Sequence, residues 1–171
     1  MFRIFLQETY EVWDTLMYDI ATTGKKSTNW HIQTGTLSIS TDNYGTVLSN
    51  TGTGSSNYVC NLPSTSPSGL DVEWEAPFCI EFDIVDSSDL SKCYMQVAPL
   101  DSTAYSPALN SNGSVIGSHH RIECRSTGYT IYIDDRTPIV LDRPINGLAS
   151  IRFQIGQGNS LKYKNWKIYS I

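Results

Sequence analysis

The sequence is poor in charge and has no charged cluster. Only 17% of its 171 residues are Asp, Glu, Lys or Arg, and the formal net charge is −5. The longest basic run is the pair Lys25–Lys26, so the clustered cations that neutralise phosphates are missing and no nucleic-acid partner is expected. No stretch approaches the roughly 18 consecutive apolar residues of a membrane span, so none is expected. Near the start, Gln7, Glu8 and Glu11 interrupt the apolar residues before a signal-peptide core forms, and no small-residue cleavage site follows. The expectation is synthesis in a cytoplasm without a secretion signal. Cysteine is sparse: Cys60, Cys79, Cys93 and Cys124 are the four, with no CxxC pair among them. Three of them lie in strand-like runs, where a thiol behaves as a small hydrophobe, so structural thiols are expected ahead of a disulfide and well ahead of a metal site. The sequence also lacks an internal repeat and, after residue 25, any amphipathic helical stripe of useful length.

Apolar residues make up 40% of the chain, enough for a single core at this length. Ser, Thr, Asn and Gly supply much of the remainder, as in β-rich proteins with many turns. From Thr36 onward short runs alternate apolar and polar residues with turn residues between them. "TLSIS" (36–40), "NYVCNL" (57–62), "FCIEFDIV" (78–85), "KCYMQVAP" (92–99), "HRIECR" (120–125), "YTIYID" (129–134), "PIVL" (138–141), "ASIRFQIG" (149–156) and "LKYKNWKIYSI" (161–171) all read as strands. "DNYG" (42–45) reads as a turn, and 63–69 and 107–118 as loops. The pattern predicts an all-β, two-sheet antiparallel sandwich. Its expected core is Ile80, Phe82, Ile84, Met95, Val97, Ile122, Ile131, Ile133, Ile151, Phe153, Ile155, Trp166 and Ile168.

In the first 20 residues the apolar positions fit a helix face and a strand equally. The loop "TTGKKSTNW" (22–30) follows. Residues 1–20 are therefore expected to form an attachment or oligomer-forming segment, with the sandwich domain occupying 21–171 and a homo-oligomer as the assembly.

With its strands in order, the chain resembles the concanavalin A-like lectin/glucanase superfamily. "APFCIEFDIV" is similar to the central strand of that family, "YTIYIDD" with "PIVL" to its hairpin, and "ASIRFQIG" and "LKYKNWKIYSI" to its last two strands. "YDIATTGKKSTNWHIQTGTLSIS" resembles the opening of such domains in phage tail and baseplate proteins. The resemblance covers roughly residues 18–171 and implies a jelly-roll sandwich. It also implies a virion location, with other virion proteins and host-surface carbohydrate as partners. This fold hosts lectins, glycanases and structural modules alike, so function rests on the site.

The acids of "EFDIVD" are the sharpest candidates. On a strand, Ile80, Phe82 and Ile84 face one way and Glu81 and Asp83 the other. The resemblance implies a comparison with family 16 glycanases, whose bulged motif reads Glu-x-Asp-x-x-Glu. Glu81 and Asp83 match its first two positions, and Asp86 stands where the last Glu, the acid/base, belongs. Asp is one methylene shorter, and retaining glycosidases need carboxyls roughly 5–5.5 Å apart. "DSSD" (86–89) also reads as the turn after the strand. Catalysis is therefore not expected. The alternatives are solvated acids on an exposed strand, or acceptors in a sugar-binding face.

For a sugar-binding face, Tyr94 and Gln96 join Glu81 and Asp83 if 92–98 pairs with 78–85. Trp30 and Trp74, beside polar residues, are further candidates for sugar stacking. Other constellations are weaker. His119 and His120 are adjacent on a strand and point oppositely, and His31 has no partner, so no metal site is expected. "GTGSS" (52–56) precedes no helix and does not support a phosphate loop. "TDNYG" and "DSSD" supply oxygens but as turns need no Ca²⁺. No cofactor is expected. The function expected is a non-enzymatic virion module of a phage-type tail, baseplate or head fibre, binding host-surface carbohydrate. A family-16-like glycoside hydrolase or a free lectin is the alternative.

Overall fold

The computed structural model describes residues 15–19, 31–32, 36–42, 45–51, 57–60, 73–99 and 108–171. The apolar alternation forms strands as expected, because period-two patterning gives a strand one face to bury. In chain order they are β1 (Thr15–Asp19), β2 (His31–Ile32), β3 (Thr36–Asp42), β4 (Gly45–Thr51), β5 (Asn57–Cys60), β6 (Glu73–Glu75) and β7 (Phe78–Ser87). They continue with β8 (Cys93–Pro99), β9 (His119–Arg125), β10 (Gly128–Ile133), β11 (Ile139–Leu141), β12 (Leu148–Ile155) and β13 (Ser160–Ser170). β2, β4 and β6 are not marked by the sequence pattern. Among the described residues, no helix is long and apolar enough to cross a membrane.

The strands form two antiparallel sheets. The larger, of eight strands, has the order β11-β10-β9-β7-β13-β4-β3, with β1 also paired to β13. The smaller, of five, has the order β2-β5-β12-β6, with β8 also paired to β12. β13 is the hub of the larger sheet. β7 lies along one flank, and β4 and β1 share the other.

Between the sheets sits one core. Ile80, Phe82, Ile84, Ile122, Ile131, Ile133, Trp166 and Ile168 come from the larger sheet, and Met95, Val97, Phe153 and Ile155 from the smaller, all buried. These are the expected core residues apart from Ile151, whose side chain lies outside the described residues. An aromatic cluster joins the sheets. Phe153 on β12 meets Phe82 edge-on at 5.4 Å, Tyr163 at 4.6 Å and Trp166 at 5.4 Å. Cys79, Cys93 and Cys124 are buried free thiols, as the spacing suggested. Burial pushes the Cys124 thiol well up and the Cys93 thiol up, which keeps both protonated and unreactive. Cys60 has its side chain outside the described residues.

Within the segment 1–20, Thr15 pairs with Ser170 and Asp19 with Lys167, so residues 15–19 form a strand of the larger sheet. The edge of β13 beyond β4 is open there, and β1 satisfies its backbone groups. Residues 1–14 lie outside the described residues. One expectation changes, at β8. It pairs along its whole length with β12, from Cys93↔Ile155 to Ala149↔Pro99, and not with β7. Both arrangements bury Cys93, Met95 and Val97, so the alternation alone could not choose between them.

The tight β9–β10 hairpin depends on one glycine. Gly128 pairs with Arg125 and has φ +127, and a Cβ there would lie 2.2 Å from the Leu141 carbonyl oxygen. Gly128→Ala is expected to cost about 2–3 kcal/mol, because it combines a strained backbone with a clash against β11. Urea unfolding measures it, and an unchanged midpoint would contradict this packing.

Candidate functional site

The outer face of the larger sheet around Asp83 is built by two irregularities. On β7, Ile84 pairs with Tyr163 and Asp86 with Lys162, so Val85 is an extra residue. On β13, Lys164 pairs with Asp83 and Lys167 with Glu81, so Asn165 and Trp166 together oppose Phe82. Asn165 takes the left-handed conformation, φ +52, which Asn tolerates better than most residues. The bulges bracket Asp83 and Lys164 and reset the alternation. Trp166 enters the core only three residues after Tyr163, and Asp86 faces outward only three after Asp83.

Asp83 is held from two sides. His119 Nδ1 lies 2.6 Å from its Oδ1, and Asn165 Nδ2 donates to its Oδ2 at 2.6 Å. The backbone N–H of His119 donates to Asp134 Oδ1 at 2.8 Å, which fixes the start of β9. One row along, Arg121 Nη1 donates to Glu81 Oε1 at 2.8 Å. Arg121 Nε also reaches Glu123 Oε1 at 3.3 Å, and Arg125 holds Glu123 Oε2 at 3.1 Å. Lys162 Nζ lies 3.2 Å from Asp86 Oδ2. The acidic column of β7 thus runs between donors on β9 and β13. Such partly exposed pairs contribute only about 0–1 kcal/mol each. Their main effect is to fix where the carboxylates sit.

Beside Asp83 the surface dips into a depression of about 360 Å³ lined by Asp83, Ile84, Val85, Gly117 and Lys164. Its far wall is the turn ahead of β9. Gly117, at φ +88, donates its N–H to Ile84 O at 2.8 Å, and Ser118 O accepts from Ile84 N at 3.0 Å. The Ser118 hydroxyl donates to Val115 O at 2.7 Å and locks the same turn. Val115 and Ile116 project from it half-exposed.

The structure sorts the sequence candidates. Glu81, Asp83 and Asp86 do share one outer face, and the bulge at Val85 is what keeps Asp86 there. Asp86 is within β7 and not in the following turn. Turn chemistry falls instead to Asp89, whose Oδ1 accepts from Ser91 N at 2.9 Å and Ser91 Oγ at 2.6 Å. Tyr94 and Gln96 do not join the acids, because their strand lies in the smaller sheet: Tyr94 pairs with Gln154 and Gln96 with Arg152. Trp74 is in β6, also in the smaller sheet, with its side chain outside the described residues, as is all of Trp30. His119 and His120 point oppositely, as expected. His119 is exposed beside Asp83, and His120 is buried against Phe82. Among the described residues no group of three His, Cys, Asp or Glu side chains is placed to hold a metal ion.

His119, Arg121, Lys164 and Asn165 were missed. Only Asn165 carried a usable signal: "YKNWK" sets two large apolar residues three apart in a strand, and an Asn between them fits a bulge. The others depend on contacts across 36 or more residues of chain.

No protein-family model matches the chain, and no curated protein matches it. Solved structures do resemble it. The carbohydrate-binding module CBM66 from Bacillus subtilis superposes with a TM-score of 0.53 at 14% identity, covering 84% of this chain and 96% of that one. A protein of unknown function with a galectin-like fold, also from Bacillus subtilis, gives 0.54 at 9% identity, covering 91% and 96%. At such identities the likeness speaks for the fold alone. The chain shares their fold, a two-sheet antiparallel jelly-roll β-sandwich.

Proposed function

We propose that this chain is a non-catalytic glycan-binding module carried on a virion, of the phage tail, baseplate or head-fibre type. The observation that carries the binding site is the double bulge that brackets Asp83 and Lys164 beside an open depression. Bulges cost ladder hydrogen bonds and are concentrated where a strand must re-aim a side chain for function. The likeness to a carbohydrate-binding module supports a fold able to carry such a face. The virion setting rests on the resemblance of residues 18–40 to the openings of phage tail and baseplate domains, with other virion proteins and further copies of the chain as partners.

Hydrolysis fits this face poorly. It needs one carboxyl kept protonated by an apolar pocket and a second ionised opposite it. Glu81 lies against Arg121, Asp83 against His119 and Asn165, and Asp86 is a half-exposed side chain at Lys162. Each has a hydrogen-bond or ion-pair partner beside it. An open face of this kind binds single sugars weakly, so display in many copies supplies the avidity.

The test pairs two assays. Incubation with β-glucans, galactans and host wall polysaccharide is expected to release no reducing ends. A multivalent form of the protein is expected to bind a glycan array, with binding reduced at least roughly tenfold in Asp83→Asn and little changed in Tyr94→Ala. Turnover abolished by Glu81→Gln would establish the glycosidase instead. Binding lost in Tyr94→Ala but kept in Asp83→Asn would move the site to the smaller sheet.

A further inference from the structure

The depression beside Asp83 has a chemistry more specific than a general sugar-binding face. Its polar lining is one carboxylate and one ammonium, Asp83 and Lys164, which the register sets directly across from each other. The rest of the lining is apolar or backbone: Ile84, the bulged Val85, and Gly117. The residues before Gly117 are Val115 and Ile116, exposed by 48% and 50%; among the described residues the other exposed large hydrophobic is Val140. Exposed β-branched residues on a mobile loop would mean little, but this turn is clamped. Ser118 bonds Val115 O and Val115 N through one hydroxyl, Gly117 N is tied to Ile84 O, and Ser114 N donates to Leu109 O.

An acceptor and a donor side by side, next to a rigid apolar wall, complement a group with the same three parts. A secondary amide has an N–H to give to a carboxylate and a C=O to accept from an ammonium. An N-acetyl amide ends in a methyl that the wall can cover. A hydroxyl at the same ring position leaves the apolar wall unused, and a free amine brings a cation towards Lys164. The carboxylate is also pre-oriented. Its two oxygens each take one internal donor, His119 and Asn165, which leaves lone pairs on both for a ligand and fixes their direction.

Resting on the glycan-binding reading above, we propose that the Asp83–Lys164 depression is a subsite for an N-acetylated amino sugar. Asp83 accepts the amide N–H, Lys164 donates to the amide C=O, and Val85 with the Gly117 backbone covers the methyl. The volume, about 360 Å³, accommodates one such sugar residue and not an extended chain. The subsite therefore reads a single residue of a glycan, through its acyl group.

The test uses the full chain and saturation-transfer NMR with a set of small probes: N-acetylglucosamine, N-acetylgalactosamine, glucosamine, glucose and galactose, together with the N-acetylglucosamine disaccharide. The N-acetyl sugars are expected to bind at least roughly tenfold more tightly than the amine or the parent hexoses, with the strongest transfer at the acetyl methyl. Val85→Ser is expected to remove most of that preference, because it takes away part of the wall and leaves the carboxylate and ammonium in place. Ile116→Ser, at an exposed position of the same turn but outside the lining, is expected to leave the preference in place. If a parent hexose binds as well as its N-acetyl counterpart, and Asp83→Asn abolishes that binding, the glycan-binding reading stands and the N-acyl subsite is refuted. If N-acetyl sugars bind preferentially but Val85→Ser does not alter them, the preference lies elsewhere on the molecule. No binding to any probe, and none to the array, would remove both.

Discussion

Replacing Phe82 with Ala is expected to destabilise the domain by about 3–5 kcal/mol, the largest effect of any single core truncation in β7. Phe82 is fully buried and is one of three rings of the larger sheet, with Tyr163 and Trp166, that meet Phe153 of the smaller. It stacks on His120 at 4.9 Å with the rings within 5° of parallel, lies 5.4 Å from Trp166, and meets Phe153 of the smaller sheet edge-on at 5.4 Å. Aromatic pairs of this kind add to the burial itself, so the neighbours lose partners as well as gaining a cavity. Asn165 and Trp166 are the two residues that oppose Phe82 across the β13 bulge. The truncation should therefore loosen the Asp83 site too. Urea unfolding gives the stability. The matching sign in the site is a weakened glycan response in the folded variant. A loss below about 1 kcal/mol would show that the sheets do not meet through this ring.

Acid is expected to remove about 3 kcal/mol of stability through one residue, His120. Its ring is buried, stacked on Phe82, with Nε2 2.8 Å from the Ser118 hydroxyl. Burial pushes its pKa down from 6.5 to about 4, against a smaller upward pull from Asp134. The folded state thus holds a neutral imidazole where the unfolded chain would take up a proton. Between pH 6.5 and about 4 the unfolded state binds more protons, so stability falls as pH falls through that window. Above pH 6.5 the contribution is fully present, and below about 4 it is gone. Urea midpoints at several pH values across the window measure the slope. His120→Phe keeps a ring against Phe82 and removes the titration, so its curve should be flatter by about this amount. An equally steep decline in that variant would assign the acid sensitivity to the surface carboxylates.

The same strand explains why part of the site could be read in advance and part could not. Side-chain alternation is a local steric property of an extended chain. "FCIEFDIV" therefore announced by itself that Ile80, Phe82 and Ile84 go inward and that Glu81 and Asp83 face out. The thiols of Cys79, Cys93 and Cys124 and the opposed rings of His119 and His120 were legible for the same reason. Each depends on a residue's own type and its place in a run, and not on which strand lies beside it.

Partners are another matter. A strand's alternation says which side chains are buried and nothing about its neighbour, because the ladder hydrogen bonds come from backbone groups that every residue has. β8 pairs with β12 across 50 to 62 residues of chain, so Tyr94 and the acids part company. Residues 15–19 fit helix and strand alike until the open flank of β13 claims them. His119 reaches Asp83 from 36 residues away through the register of β7 with β9, and Asn165 from 82 residues away through a bulge that exists only once β7 and β13 are in register. The sequence by itself determined the fold class, the core face of each marked strand and the outward acids. The tertiary structure decided what those acids touch, because contact across a sheet is set by register between distant segments and register is a property of the assembled sheet.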